Sequence, residues 1–359
     1  MSSKAANSKS FMSDDNFKSM LAIIMAVVTL IGTGIAFLQG DAGARDDRAN
    51  RDTKRYSIEA LGGQISGDAR TNYDYGTAYQ AVEELEILAL AAENRADEAA
   101  ANRYRAVRED MISLSPLLKE PYYNGTDTLN ISKYESDMYL VEITALRERF
   151  AAASVVKDAW DGKSNTYVVH LTLLAVALFL FGMALAIAIP ATRWLFTISG
   201  VVISGVATVW AVVTFLQPVY DLRLQQGAIE AYAKGVGLEY QELHQEAIDA
   251  FTEAINAAPD YANALAERAG SYSALGKYAE ATNDYLSARK AGNESTYVAG
   301  NLALMYYYQG RFDDAIAMNQ TALESTPDEL WVRFDNGLAL LSNGQIDACL
   351  LYTSDAADE

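Results

Sequence analysis

The sequence predicts an all-α chain: three transmembrane helices, a juxtamembrane helical bundle and a C-terminal α-solenoid that breaks off early. Three observations predict it. The apolar runs 20–38, 167–189 and 194–216 are each about 20 residues long, enough to cross a hydrocarbon core. Between the first two runs, 40–165 is rich in Ala, Glu, Leu and Arg, with apolar residues at helical spacing. From residue 228 onward, a skeleton of small and aromatic residues recurs every 34 residues.

The N-terminal tail, 1–19, is polar and leads into Met20–Leu38, an almost unbroken apolar run containing Gly32 and Gly34. A signal peptide is the rival reading. The run begins late, is long for the apolar core of a signal, and is followed by Gln39-Gly40-Asp41 instead of a small-x-small cleavage site, so an uncleaved span is favoured. Tyr167–Ile189 and Trp194–Leu216 read as a helical hairpin turning at Pro190–Arg193, with Arg193 and Trp194 at the interface. No span carries Asp, Glu, Lys or Arg in its interior, which argues against ion or proton transport. Gly32 and Gly34 offer a small-residue face for span–span packing, including association between copies. Three spans place 40–165 and the repeats on one side of the bilayer. The Lys and Arg count near the span ends leans towards a cytoplasmic side. The extracytoplasmic placement stays open, because long loops translocate largely regardless of charge.

In the 40–165 region, residues 42–60 could extend the first span as a helix, which Gly62, Gly63 and Gly67 are expected to break. Thr77–Leu114 reads as helical, with Val82, Leu85, Ile87, Leu88, Leu90, Tyr104, Val107 and Ile112 as its apolar stripe. Residues 115–132, with Pro116, Pro121, Asn124-Gly125 and Asp127, read as a loop, and Ser136–Ala159 as a further helix. Tyrosine is abundant here, which leaves room for a ligand-sensing pocket or for ring caps on a wet helical core.

The clearest repeat runs Leu265, Ala269, Tyr272, Gly276, Tyr278, Ala281, Tyr285, Ala288. Shifted by 34, it becomes Leu302, Ala303, Tyr306, Gly310, Phe312, Ala315, Ala322, Leu323, Pro327; shifted back, Gly235, Ala247, Phe251, Ala254, Ile255, Pro259. The small residues allow the two helices of a unit to approach closely, and Pro259 and Pro327 end the second helix. This skeleton resembles the tetratricopeptide repeat (TPR), a helix–turn–helix unit that stacks into a solenoid. The units are 228–261, 262–295, 296–329 and a partial 330–348. In plan, one span, a helical loop and a hairpin are similar to uncharacterised bacterial membrane proteins. The segment 349–359 departs from the repeat: the family has a small residue at 349, where this chain has Cys349. The string resembles a translated sequencing adapter and is expected to be foreign, a polar tail being the alternative.

Composition excludes several classes. The only cysteine is Cys349, so disulfides and thiolate metal sites are not expected upstream of it. The formal charge is −19, and 221–348 carries 8 Lys/Arg against 19 Asp/Glu, a poor surface for nucleic acid. Of the two histidines, His170 at the edge of the second span is read as an interfacial hydrogen-bonding residue, and His244, aligned with Tyr278 and Phe312, as a packing residue. Neither has a nucleophile or metal-ligand partner at a recognisable spacing. There is no phosphate-binding loop, and Glu83-Glu84 and Asp313-Asp314 read as solvated pairs. Asn124-Gly125-Thr126, Asn130-Ile131-Ser132 and Asn293-Glu294-Ser295 match glycosylation sequons, a motif that recurs by chance. No catalytic, cofactor-binding or metal site is therefore expected, and the chain is read as a non-enzyme.

The resemblance implies a concave groove lined by the first helix of each unit. Groove positions carried over by period are Ile229, Tyr232, Val236 and Tyr240; Asn263, Ala266, Gly270 and Ser273; Tyr297, Gly300, Leu304, Tyr307 and Tyr308; Trp331, Phe334, Leu338 and Leu341. The strongest candidates for partner contact are Tyr232, Tyr240, Asn263, Tyr297, Leu304, Tyr307, Tyr308 and Trp331. The basic set that clamps a C-terminal carboxylate in chaperone-binding members is missing. The groove suits a hydrophobic peptide or amphipathic helix, so the expected function is a membrane-anchored scaffold for a protein partner. The alternative is a sensor, in which the 40–165 bundle detects a ligand and signals to the repeats.

Overall fold

The computed structural model describes residues 13–124, 129–219 and 225–349, and all regular structure among them is helical. Most of the N-terminal tail, Thr126 of the first sequon, Arg223 and residues 350–359 lie outside the described residues. The chain forms two compact units, one of Met1–Arg55 with Phe150–Leu222 and one of Tyr56–Arg149 with Arg223–Glu359.

The first unit contains the early part of α1 (Asp14–Tyr73), the later part of α5 (Val141–Ala186) and α6 (Pro190–Leu216). Its core is written at heptad spacing. Leu21, Val28, Ile35 and Ala42 of α1 face Tyr167, Leu174, Phe181 and Ala184 of α5. On α6, the buried stripe is Thr197, Gly200, Ser204, Ala207, Ala211 and Thr214, all small. At Gly200, a Cβ would stand 2.6 Å from the Phe181 ring, so the glycine lets the ring sit on the α6 backbone. Gly32 packs near Leu174 and Gly34 meets nothing within 4 Å. Leu30, Phe37, Phe179 and Val209 point outward, and the three helices are long and apolar enough to cross a membrane.

Two clamps hold the ends of this unit. Arg193 donates to the Ala184 carbonyl at 3.2 Å and to Asp14 at 2.6 Å, and its guanidinium lies 4.3 Å from the Phe17 ring centre. Buried Lys163 donates to the carbonyl of Gln217 at 2.5 Å, closing the C-terminus of α6. The hairpin turn departs from expectation: it is Ile187–Ile189, and Pro190 opens α6. Proline at the first helical position gives up only an N–H that has no partner there. His170 also differs. It is fully buried, neither ring nitrogen has a hydrogen-bond partner, and its ring stands edge-on to Trp210 at 4.8 Å.

The second unit holds the end of α1, a π-helical segment Asp74–Tyr79, α2 (Gln80–Glu93), α3 (Glu98–Leu114), α4 (Ile131–Glu135), a second π-helical segment Ser136–Leu140 and the start of α5. The helical stretch 77–114 is a hairpin, turned at Asn94–Asp97 by Ala96 in the left-handed region (φ 59°) and by Asp97, whose side chain accepts from the Ala100 N–H. Of its expected stripe, Val82 is buried, whereas Ile87, Leu90 and Val107 are exposed. Gly62, Gly63 and Gly67 do not break α1. A Cβ at Gly67 would lie 2.3 Å from the Tyr139 ring and one at Gly63 3.3 Å from Ile143, so these glycines admit α5 and its preceding turn against α1. Asn130 and Asn293, of the second and third sequons, accept from nearby backbone N–H groups as local caps.

The helices that follow among the described residues include α7 (Gln226–Glu239), α8 (His244–Ala257), α9 (Ala262–Ala274), α10 (Tyr278–Lys290), α11 (Thr296–Tyr308), α12 (Phe312–Ser325) and α13 (Leu330–Ser342). From α8 onward the helix starts repeat at the 34-residue period, a TPR-like arrangement of paired helices. Ala269, Ala281, Ala303 and Ala315 are buried where helices meet, and Gly235 brings α7 against the Phe251 ring. The turn within each pair needs a left-handed residue. Gly276, Gly310 and Gly344 supply it, and the first pair uses Glu242 (φ 59°). Between α9 and α10, Arg268 pairs with Asp284 through two hydrogen bonds of 2.7 and 2.9 Å.

Candidate functional site

The first helices of the pairs, α7, α9, α11 and α13, present two different surfaces. On α7, the face is covered by the bundle of the same unit. The Ser136 hydroxyl donates to the Gly237 carbonyl at 2.9 Å, and Gln241 donates to Ser136 at 3.0 Å. The Tyr240 hydroxyl donates to Glu135, and Arg149 pairs with Glu230 at 3.2 Å. A Cβ at Gly237 would stand 2.5 Å from both Ser136 Oγ and Val141 Cγ2, so the glycine is what admits this segment. The covering reaches α9, where Glu148 accepts from Tyr261 at 2.8 Å and from Asn263 at 3.2 Å.

This contact gathers carboxylates. Glu267 on α9 is half-buried, and burial, then the charges of Glu239 and Glu148, push it up to about 7. Glu239 is engaged on both oxygens, by Ser271 at 2.5 Å and by His244 Nδ1 at 2.9 Å. His244 is thus a polar partner at the start of α8 and only partly a packing residue. In the bundle, burial and then the hydrogen bond to Asp74 push the Tyr134 phenol up to about 12, so it stays a donor.

The groove residues separate accordingly. Tyr232 is 7% exposed and packs on Phe251 and Tyr261, facing the core of the first pair instead of solvent. Tyr240 and Asn263 are spent on Glu135 and Glu148. Leu304 is half-buried against the main repeat core. Tyr307 is half-buried among Phe312 and Tyr308, 5.6 and 5.9 Å between ring centres. Tyr308 is exposed but stacks on Tyr278 at 4.7 Å. Tyr297 and Trp331 are 45% and 37% exposed and wall a shallow cavity of about 350 Å3 with Asn301 and Glu329. The Trp331 ring lies over Gly300, where a Cβ would be 2.2 Å away. Phe334, 67% exposed, and Leu341 extend the apolar surface along α13. Among the described residues no group of three or more His, Cys, Asp or Glu side chains is placed to hold a metal ion.

Sequence reasoning missed the covering of α7. The available signal was position 237, glycine where the next two units have Ser271 and Met305.

No protein-family model and no curated protein matches the sequence. Among solved structures, the chain is similar to the first TPR of Spaghetti (RPAP3) bound to the HSP90 peptide SRMEEVD, at 22% identity and a TM-score of 0.33, over 33% of this chain and 95% of that one. It is also similar to MamA MSR-1 C2, at 23% identity and a TM-score of 0.35, over 41% of this chain and 84% of that one.

Proposed function

We propose that the chain is a membrane-anchored scaffold that holds a protein partner through the later part of its repeat groove. The observation that carries this reading is the pair of surfaces: α7 is covered by the chain's own Glu135–Arg149 segment, whereas α11 and α13 leave Tyr297, Trp331 and Phe334 open beside a cavity. Half-exposed aromatic rings held by packed helices are the residues that anchor partner segments. Their apolar character suits a hydrophobic peptide or one face of an amphipathic helix. The three apolar helices are the anchor, set in a bacterial cell membrane with the repeats on the cytoplasmic side, as the flanking Lys and Arg suggest.

The test is co-purification of the detergent-extracted full chain from its membranes. Tyr297→Ala/Phe334→Ala is expected to lose a partner that Tyr240→Ala retains, with helicity unchanged in both. Equal recovery of the partner by the two variants would overturn the reading.

A further inference from the structure

Away from the groove, α1 carries an apolar stripe on its exposed face. Ile58, Leu61 and Ile65 are 71%, 63% and 61% exposed, three large aliphatic side chains within about two turns. They begin twenty residues beyond Leu38, where the first apolar run ends. That is about 30 Å further along the helix, so water and not lipid meets them. A contiguous apolar face left in water marks a contact surface.

Gly62 lies in the middle of this stripe. Gly63 and Gly67 admit Ile143 and Tyr139, but a Cβ at Gly62 would meet nothing within 4 Å. Glycine weakens a helix interior, and no packing within the chain uses this one. A bare backbone on a helix face permits the close approach of a second helix.

The stripe also has a register. Ile58 and Ile65 are seven residues apart, and so are Gly62 and Ala69, which are exposed as well. With the isoleucines at heptad position d, and Gly62 and Ala69 at a, the spacing is that of a coiled-coil seam. The preceding a position is Arg55, held by Asp52 at 3.1 Å, and there the apolar seam ends. In the same register Lys54 takes g and Glu59 takes e. Neither has an ion-pair partner among the described residues. Five residues apart on one helix, they are not neighbours on its surface. Across a parallel pair of identical helices, however, the g residue of one meets the following e residue of the other. The two charges are matched between copies.

We propose that α1 pairs with α1 of a second copy of this chain, in parallel, along Ile58, Gly62, Ile65 and Ala69. Lys54 of each copy then lies against Glu59 of the other. The parallel order rests on the membrane-anchored reading: two copies held by the same end of α1 in one bilayer project in the same direction. Four seam positions make a weak contact in solution, and confinement of both copies to one membrane raises their effective concentration.

The experiment is disulfide cross-linking of the full chain in its own membranes, after Cys349→Ser removes its one native thiol. Ile58→Cys, Gly62→Cys and Ile65→Cys each face their own counterpart across a parallel pair. Each is expected to give at least about fivefold more covalent dimer than Ser57→Cys or Gln64→Cys, which stand off the seam. Adding Lys54→Glu to Ile65→Cys sets carboxylates against each other at two symmetric places and should weaken association about tenfold. The further change Glu59→Lys should restore it. Equal yields at all five positions, no dimer at any of them, or a double reversal that fails to restore pairing would overturn the proposal. Alkaline carbonate extraction of the same membranes reports the anchor separately. Release of the chain would refute the anchored reading, and the cross-links decide the pairing in either case.

Discussion

In the first helix pair, the outer face of α7 is spent within the chain, Tyr240 on Glu135 and the Gly237 carbonyl on Ser136. Two repeats later, α11 carries Tyr297 half exposed, with Trp331 and Phe334 beside it on α13. The helices of the two pairs are closely similar in length and the internal alanines match, so the difference lies on the surface. Position 237 is Gly in the first unit, Ser271 in the second and Met305 in the third, and only the glycine admits Ser136 and Val141. A 34-residue period therefore sets how helices pair, and residues off the shared skeleton set what each face receives.

Breaking the covering should have the largest effect. Gly237→Leu drives a side chain into Ser136 and Val141, an overpacking that costs about 3 kcal/mol if the segment stays and releases it if it does not. Hydrogen exchange at 131–141 is expected to rise sharply while 296–342 stays protected. An unchanged exchange pattern would mean that the contact is dispensable.

A second effect comes from pressing Glu148 towards Glu239 and Glu267. With Glu267 pushed up to about 7, mainly by burial, the folded chain keeps its proton while the unfolded chain, near 4.5, has lost it. Stability therefore falls as pH rises from 4.5 to 7 and is level above that window; below 4.5 both states are protonated and the difference vanishes. The gap corresponds to about 3 kcal/mol. Thermal unfolding of the full chain in detergent should show Glu267→Gln more stable than wild type at pH 8 and equal to it at pH 4. Glu148→Gln should recover a smaller part of the difference.

The smallest effect separates the first turn from the later ones. Glu242 holds the left-handed conformation that Gly276, Gly310 and Gly344 hold elsewhere. Glu242→Gly should stabilise the first pair by about 1 kcal/mol, measured by the same unfolding experiment. The reverse change, Gly310→Glu, should cost a similar amount.

The repeat helices are legible because their signals are local: the alanines, the turn glycines and the prolines that follow α8 and α12. The apolar runs are legible by length, although Pro190 opens α6 and does not form the turn. Gly63 and Gly67 mislead because a glycine that breaks a helix and one that admits a neighbour look the same in sequence. Only Tyr139 and Ile143, some seventy to eighty residues on, distinguish them. The period aligns Tyr232 and Tyr240 with the positions that the resemblance assigns to a groove, but Tyr232 turns inward and Tyr240 is taken by Glu135, contacts that no periodicity encodes.

The division of the groove is tested most directly by a photo-reactive residue placed at 240 or at 334 in the full chain in its own membrane. The account predicts that position 240 cross-links to 131–137 of the same chain. Position 334 should cross-link to a second protein, and that adduct should disappear with Tyr297→Ala. Intermolecular adducts from 240, or a 334 adduct indifferent to Tyr297, would contradict it.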